Sequence, residues 1–364
     1  MITVVLGGYG NFGARICRAL ANSPGIDLIV AGRDLSKAQA LADECGTSAA
    51  RIDAASSDLA QVLRGMRAGL VIHTAGPFQE QGYRVPLAVA EAGAHYIDLA
   101  DGRRFVCDFP AALDGAFRQQ DRIAVSGAST VPALSSAVID QLTAGWRSIE
   151  AIDVCIAPAQ TAPRGIATMA AVLTYCGAPI QVWQGGRWTT QYGWADPATV
   201  RFARLKPRIG SLCDIPDLEL FPQRYPGLQS MMFRAALELS ISQRSLALLA
   251  LLRRAGIVKR PERLAGLLNR SADALDLFGS ALGGMAVDVR GLDAAGTPVT
   301  GTWNIAADDD HGPEIPCMAA VLLARRIAAG TLADNGAFTS AGLLTLEDFG
   351  PEFDKWNMVT DIGN

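Results

Sequence analysis

The sequence predicts an α/β fold, in which a doubly wound parallel sheet is followed by an inserted α+β domain built on an antiparallel sheet. Two observations support it. Short β-branched runs alternate with helical patterns up to about residue 130, and paired strands joined by glycine-rich turns then replace that rhythm. The chain has 364 residues, enough for more than one core. We therefore expect domains at 1–130 and 131–310, with residues 311–364 returning to the first domain.

Six strands with helices between them build the predicted first domain. The first strand is the apolar run at residues 2–6, and a helix starts after Gly13. The other predicted strands are residues 26–33, 49–54, 69–78, 95–101 and 123–131. Further helices are predicted at residues 35–45, 59–66 and 83–92.

The predicted second domain has hairpins and helices without a βαβ repeat. Its predicted strands are residues 149–157 and 200–205, with hairpins at 180–194 and 285–307. Its predicted helices are residues 166–176 and one or two apolar helices within 231–255; the helix predicted at 315–329 returns to the first domain.

Composition excludes several classes of function. The net charge of −4 argues against a nucleic acid or an anionic membrane surface as the main partner. Seven scattered cysteines without a CxxC pair, and only three histidines, indicate no metal site and no disulfide framework, so a reducing, cytoplasmic location is expected. The longest uncharged stretch, residues 165–186, has an apolar part of about a dozen residues, too short to span a bilayer.

A glycine-rich turn after the first strand is the candidate cofactor site. Its GxGxxG spacing, between a strand and a helix, is typical of a dinucleotide-binding turn. The glycines permit a tight turn, close approach of a pyrophosphate, and close packing of helix on strand. The helix start offers N–H groups and a positive dipole to the phosphates. The expected contacts are Gly8, Tyr9, Gly10, Asn11, Phe12 and Gly13; a glycine-rich turn of another α/β protein is the alternative.

The residue expected to read the ribose favours NADP over NAD. An NAD site would place Asp or Glu about 20 residues past the last glycine. Arg33 stands there, followed by Lys37, and a guanidinium suits a 2′-phosphate. Asp34 is the counter-evidence, but it is interpreted as the start of the next helix. The alternative interpretation is that Arg33 is a solvated surface charge. Asp53, at the third strand end, either contacts the adenine or caps its own loop.

The ends of the fourth and fifth strands supply the candidate reactive groups, because ligands bind outside the carboxyl ends of parallel strands. The nicotinamide is expected against Thr74, Ala75, Gly76 and Pro77. Candidate catalytic residues are His73, Asp98 and Asp101, with a core histidine and loop aspartates as the alternatives. Candidate substrate contacts are Gln79, Tyr83 and Arg164. Arg164, at a helix start, could anchor a carboxylate or phosphate, or be a solvent-exposed loop arginine.

Together these residues resemble the saccharopine dehydrogenase-like oxidoreductase family. The resemblance is carried by GGYGNFG, AGRD with Lys37, HTAGPF, HYIDLAD, and GPEIPCMAAVLLARRIAAGTL followed by GLLTLEDFGPEF. It implies an NADP-binding Rossmann domain, an inserted α+β domain that binds the substrate, and a homodimer. His73 stands where this family usually has an asparagine, and nothing matches the amino-acid-binding residues of saccharopine dehydrogenases. Saccharopine itself is therefore not expected as the substrate.

Two classes of function follow. The first is an NADP-dependent oxidoreductase that transfers a hydride to or from a small C=N, C=O or C=C substrate. No Tyr-x-x-x-Lys occurs, which argues against a short-chain dehydrogenase. The second is a non-catalytic NADP(H)-binding sensor or partner subunit, which the lack of an unambiguous proton donor favours.

Overall fold

The chain forms two compact units. The computed structural model describes residues 1–79, 81–332 and 334–363, and only the backbone of residues 166 and 167. One unit contains Met1–Leu134 and Glu314–Leu344, and the other contains Ser135–Pro313 and the segment that begins at Thr345. No helix in these described ranges is long and apolar enough to cross a membrane.

Strands and helices alternate through the N-terminal part of the first unit, as the hydrophobic pattern predicts. These elements are β1 (Ile2–Leu6), α1 (Asn11–Leu20), β2 (Asp27–Gly32), α2 (Leu35–Cys45), β3 (Ser48–Arg51), α3 (Leu59–Gly65), β4 (Leu70–His73), α4 (Arg84–Ala92), β5 (His95–Asp98), α5 (Arg103–Gln119) and β6 (Ile123–Ser126).

The second unit has a different order of elements. They are α6 (Ser135–Leu142), β7 (Ser148–Ala157), α7 (Ile166–Tyr175), β8 (Pro179–Gln184), β9 (Arg187–Tyr192), β10 (Ala198–Val200), β11 (Arg208–Leu212), α8 (Asp217–Arg224), β12 (Ser230–Ala235), α9 (Ser240–Arg254), α10 (Ala265–Ala274), β13 (Gly283–Leu292) and β14 (Pro298–Ala307). Short helical turns lie at Thr130–Leu134, Pro261–Leu264, Asp276–Phe278 and Gly312–Glu314.

The C-terminal segment is divided between the units, which corrects the prediction that residues 311–364 return to the first domain as one piece. Helix α11 (Ile315–Ala328) and strand β15 (Gly336–Thr339) belong to the first unit. Helix α12 (Leu346–Lys355) and strand β16 (Val359–Gly363) belong to the second, because β16 pairs with β14.

The first sheet brings the predicted strand ends together. Its order is β15-β6-β5-β4-β1-β2-β3, and all pairs are parallel. Leu6 at the end of β1 is in register with His73, and His73 with Asp98. The loops after β1, β4 and β5 therefore meet at one edge, next to the point where the strand order reverses. The predicted α/β fold class is confirmed.

The second sheet is mixed and mostly antiparallel. Its order is β10-β11-β12-β7-β13-β14-β16; β8 also pairs with β12, and β9 pairs with β8. The predicted hairpins form as β8–β9 and β13–β14. The pair β7–β12 is parallel, because a long connection carrying helices separates these strands.

Two element predictions in the second unit are wrong. The apolar run that begins at Met231 forms strand β12 before helix α9 starts at Ser240. Met231, Met232 and Phe233 are all buried, and a short run that is apolar on both faces does not distinguish strand from helix. The strand predicted at residues 200–205 is also displaced, since β10 ends at Val200 and β11 begins only at Arg208.

Candidate functional site

The turn after β1 accepts only glycine at key positions. The Gly10 amide donates to the Gly7 carbonyl at 2.8 Å, which closes the turn. A Cβ on Gly8 would lie 2.9 Å from Val30 Cγ1, and a Cβ on Gly13 would lie 2.3 Å from the Gly7 oxygen. Side chains are therefore excluded where the backbone packs on β2 and where α1 crosses the turn.

Thr74 fastens this turn to the end of β4. Its hydroxyl donates to the Leu6 carbonyl at 2.9 Å and to the Gly7 carbonyl at 3.2 Å. A Cβ on Gly13 would also lie 2.8 Å from Thr74 Oγ1. The turn, α1 and β4 thus form one packed cluster that fixes the surface offered to a ligand.

Helix α1 begins directly at the turn. It starts at Asn11, its N-cap position is Gly10, and no side chain within the described ranges caps it. An anionic group at this point would meet the positive end of the helix dipole. The geometry fits the pyrophosphate site that the sequence predicts at residues 8–13.

The Asp34 carboxylate is committed to the start of α2. Its Oδ1 accepts hydrogen bonds from the Ser36 amide at 3.0 Å, the Ser36 hydroxyl at 2.6 Å and the Lys37 amide at 3.3 Å. These bonds lower the pKa of Asp34, with the Ser36 hydroxyl as the largest cause. Asp34 is therefore an N-cap, as interpreted from the sequence.

Tyr9 links the glycine turn to the end of β2. Its hydroxyl accepts a hydrogen bond from the Asp34 amide at 3.1 Å. Its ring lies so close to Gly32 that a Cβ there would be 2.3 Å from Tyr9 Cε1. Tyr9 thus sets the path of the backbone through Arg33, the predicted ribose-reading residue.

The predicted cationic contacts are exposed. Arg33 makes no hydrogen bond or ion pair with any residue that the structure describes. Lys37 Nζ lies 4.0 Å from Asp34 Oδ2, and both side chains are exposed.

Asp53 caps its own loop. Its carboxylate accepts a hydrogen bond from the Ala55 amide at 2.9 Å, which is the loop-capping role given as the alternative from the sequence. Contact of Asp53 with adenine stays a prediction.

The loop after β4 is held by a residue that the sequence analysis missed. Gln81 Nε2 donates to the Ala75 carbonyl at 2.9 Å and to the Pro77 carbonyl at 2.8 Å. Gly76 and Pro77, joined by a cis peptide bond, are exposed. The surface predicted to meet the nicotinamide is therefore open main chain, shaped by a side chain from the following turn.

His73 is a buried core residue. Its Nδ1 lies 3.1 Å from the Tyr96 hydroxyl, and its ring packs edge-on against Phe78. Burial lowers its pKa to about 4, so the imidazole is neutral at neutral pH. The arrangement matches the core alternative given from the sequence.

Asp98 is buried beneath the loops at the carboxyl edge. Its Oδ1 accepts from the Ala100 amide at 2.9 Å, the Gly127 amide at 2.8 Å and the Ser126 hydroxyl at 3.0 Å. Oδ2 is buried without a hydrogen bond in the described part of the chain. The hydrogen bonds favour the charged form and lower the pKa of Asp98. Burial has the larger effect in the opposite direction and raises this pKa to about 6.

The structure joins two predicted residues from different strand ends. Gln79 Nε2 donates to Asp101 Oδ1 at 2.9 Å. Asp101 is exposed, unlike Asp98 and His73. A Cβ on Gly102 would lie 3.1 Å from the Phe78 carbonyl, so the loops after β4 and β5 touch. This pair is the accessible acid–amide combination at the sheet edge.

Tyr83 is tied to helix α5. Its hydroxyl donates to the Phe105 carbonyl at 2.9 Å, and its ring packs on Phe105 and Phe109. Burial, followed by the nearby Asp108 charge, raises the pKa of Tyr83 to about 12. The phenol is therefore occupied and neutral at physiological pH.

Arg164 lies in the second unit and is not a solvent-exposed loop arginine. Its side chain is 21 % exposed; Nη1 donates to the Gln160 carbonyl at 2.6 Å, and Nη2 pairs with Asp276. Its Nε also lies 3.5 Å from Asp273 Oδ1. Two carboxylates thus already lie beside this guanidinium.

No group of three metal-ligating side chains occurs in the part of the chain that the structure describes.

Comparisons with known proteins agree with this geometry. Residues 3–131 match the family model described as the saccharopine dehydrogenase NADP-binding domain. No curated protein matches the chain in a sequence search. Among solved structures, the chain is similar to an apo saccharopine dehydrogenase (L-Glu forming) of Saccharomyces cerevisiae. The TM-score is 0.69, the identity is 13 %, and all of both chains is covered.

A second similar structure is a homospermidine synthase of Legionella pneumophila in complex with NAD. Its TM-score is 0.64 at 9 % identity, and the match covers 100 % of this chain and 92 % of the other. At these identities the likeness describes the fold. The matched family model and the glycine turn describe the first domain. The family match is confined to residues 3–131, which lie in the first unit.

Proposed function

We propose that the protein is a cytoplasmic NADP-dependent oxidoreductase that transfers a hydride to or from a small C=N, C=O or C=C substrate. One observation carries the choice of NADP. The Asp34 carboxylate, which could bind the ribose 2′-hydroxyl of NAD, is held by the start of α2. The neighbouring Arg33 is exposed and can pair with a 2′-phosphate.

Each part of the cofactor has proposed contacts. The turn at residues 8–13 and the start of α1 would hold the pyrophosphate. Arg33 and Lys37 would bind the 2′-phosphate, and Asp53 would lie at the adenine edge. Residues 74–77 would lie against the nicotinamide, since Gly76 and Pro77 are exposed. When bound, NADPH would donate the hydride or NADP⁺ would accept it, according to the direction of the reaction.

The proton is assigned to Asp101. It is exposed and is oriented by Gln79, whereas Asp98 and His73 are buried. Asp98 instead holds the loop after β6 through the Gly127 amide, which makes it a positioning residue. Gln79, Tyr83 and Arg164 remain proposed substrate contacts; Tyr83 and Arg164 would first have to leave their present partners.

Cofactor titrations test the NADP assignment. We expect the wild type to bind NADPH more tightly than NADH. Arg33→Ala should weaken NADPH binding by about 10- to 100-fold, the loss of one charge-assisted hydrogen bond, and leave NADH binding unchanged. Arg64→Ala is the matched control. Arg64 is also an exposed arginine of the first unit, but it lies in the last turn of α3, whereas Arg33 precedes the start of α2. Equal NADPH and NADH affinities in the wild type would contradict the assignment.

A non-catalytic NADP(H)-binding sensor or partner subunit is the second candidate. It is favoured by the burial of His73 and Asp98 and by the occupied Tyr83 phenol. A panel of imines, ketones and enoyl compounds, followed by NADPH fluorescence, separates the two. Tight NADPH binding without oxidation by any compound supports the sensor. For the enzyme, Asp101→Asn should abolish turnover and keep NADPH affinity.

We infer that the second unit binds the substrate and forms a homodimer. Strand β16 is the edge of its sheet, and Val359 and Ile362 on it are 41 % and 61 % exposed. Exposed apolar side chains on an edge strand favour pairing with a second copy. Sedimentation equilibrium should give a dimer, and Ile362→Lys should give a monomer.

A further inference from the structure

Exposed apolar side chains are concentrated in the helical segment Ser240–Phe278 of the second unit, which we call the α9–α10 face. This segment holds seven of the twelve large apolar residues that are exposed in the described part of the chain. They are Ile241, Leu248, Leu251, Ile257, Leu267, Leu277 and Phe278, with exposures from 56 % to 91 %. Such a concentration marks an interaction surface.

Helix α9 is apolar on two sides. Its buried side includes Leu246 and Leu249. Its exposed side carries Ile241, Leu248 and Leu251, which follow helical spacing. A surface helix of a globular protein normally has one apolar stripe, so the second stripe needs a cover of its own.

The α9–α10 face is also basic, although the whole chain is acidic. It contains seven basic and three acidic residues, in a chain of net charge −4. Two of the acids, Asp273 and Asp276, lie beside Arg164, which is outside the face. The side chains of five exposed cations form no ion pair or hydrogen bond with any described residue: Arg244, Lys259, Arg260, Arg263 and Arg270.

These two properties select the occupant. In a two-fold dimer the same patch faces itself, so these cations would meet their own copies. An anionic lipid surface instead takes apolar side chains at the acyl boundary and cations at the headgroups. We propose that the α9–α10 face docks the protein on an anionic membrane surface without spanning it.

An open cleft adjoins this face. It has a volume of ≈ 750 Å³, and its lining includes Leu251, Arg254 and Tyr192. The Arg254 guanidinium lies 4.1 Å from the centroid of the Tyr192 ring, which holds the cation at the cleft. A lipid phosphate can therefore reach a positioned guanidinium beside the exposed stripe of α9.

Vesicle sedimentation of the full chain tests the proposal. We expect binding to vesicles of equal parts phosphatidylcholine and phosphatidylglycerol, and little binding to phosphatidylcholine alone. Leu248→Glu should weaken binding about tenfold or more, because it removes an inserted side chain and adds a negative charge. Leu87→Glu is the matched control; Leu87 is 48 % exposed on α4 of the first unit, and its variant should bind as wild type.

A second variant keeps the test independent of folding defects. Arg260→Gln with Arg263→Gln changes only exposed charges and should lower binding to the mixed vesicles, as should 1 M salt, where the Debye length is about 3 Å. NADPH affinity should be unchanged in every variant. Equal binding of the wild type to both vesicles, or to neither, would overturn the proposal. A dimer that Leu248→Glu dissociates, without vesicle binding, would assign the face to a second copy.

Discussion

Gly13 is the residue at which the site tolerates least change. A Cβ there would meet the Gly7 oxygen and the Thr74 hydroxyl, both fixed by hydrogen bonds. Gly13→Ala should therefore lower the free energy of unfolding by about 1–3 kcal/mol and weaken NADPH binding. Urea unfolding and fluorescence titration measure the two effects.

The control for this prediction is Gly115→Ala. Gly115 lies in α5, and nothing is within 4 Å of its added Cβ. Alanine there should stabilise the fold by up to about 1 kcal/mol and leave NADPH binding intact. If both variants lose NADPH affinity equally, steric exclusion at Gly13 is not the cause.

The residues around the turn differ in how far the sequence reveals them. Spacing marks the glycines, and the position of Asp34 before a helical pattern marks its cap. Gln81 has no such signal, because its two acceptors are carbonyls whose placement depends on how the loop after β4 folds. Thr74 likewise acts on Leu6, 68 residues away, through strand pairing.

Asp98 should make stability depend on pH. Its folded pKa is about 6, above the ordinary value of 3.8, because it is buried. The neutral form is therefore favoured in the fold, and the Asp98 contribution to stability falls as pH rises from about 4 to about 6, by up to about 1.4 kcal/mol per pH unit.

Asp98→Asn removes this titration. The variant should gain stability relative to the wild type as pH rises through that window, measured by urea unfolding at several pH values. Asparagine can keep the Oδ1 acceptor of the Ala100 and Gly127 amides. If the free energy of unfolding changes with pH in the same way for the wild type and the variant, the pKa of Asp98 is not raised as predicted.

At the scale of elements, α12 begins with a capping box. The Thr345 amide donates to Asp348 Oδ2 at 2.7 Å, and the Thr345 side chain accepts from the backbone at Asp348. Thr345→Ala should cost about 1 kcal/mol of unfolding free energy. Thr345→Ser keeps the hydroxyl and should be close to wild type in thermal unfolding. An equal loss in both variants would mean that the cap is not what the helix requires.

Strand β12 shows why some elements escape prediction. β-branched residues and alternating patterns identify β1 and the β13–β14 hairpin, whereas the centre of β12 is the unbroken apolar run Met231–Phe233. The strand is covered on both faces and flanked by neighbours on both edges, so its apolar run reflects burial alone. Its conformation is set by pairing with β7, about 80 residues earlier.

At the scale of the molecule, the last strand belongs to the second unit, which lies outside the proposed cofactor site. β16 pairs with β14, and Asp361 forms an ion pair with Arg204 at 2.8 Å. Removing residues 359–364 should lower the thermal stability of the second unit and leave NADPH affinity unchanged, by calorimetry and titration. Asp361→Asn, which loses only an exposed pair, should stay within about 1 kcal/mol of wild type. Loss of NADPH binding on truncation would contradict this division.

The fold class could be predicted because each unit has its own rhythm of strands and helices. The points at which the chain passes from one unit to the other could not be predicted from the sequence. Residues 311–364 carry no composition change near Leu344, where the chain leaves the first unit. Only the pairing of β15 with β6 and of β16 with β14 shows it.

This divided path has a consequence for synthesis on the ribosome. Helix α1, which follows the glycine turn, is joined to the later segment by the Arg15–Glu314 pair at 3.1 Å, and β6 is completed by β15. Glu314 emerges about 180 residues after Leu134 and β15 about 200 residues after it, which at cellular elongation rates is a delay of about 10–40 s. During that interval the nascent first unit exposes an open sheet edge at β6. Protection of that edge in the growing chain is therefore a requirement of this fold, and the surroundings of the glycine turn are completed only near the end of translation.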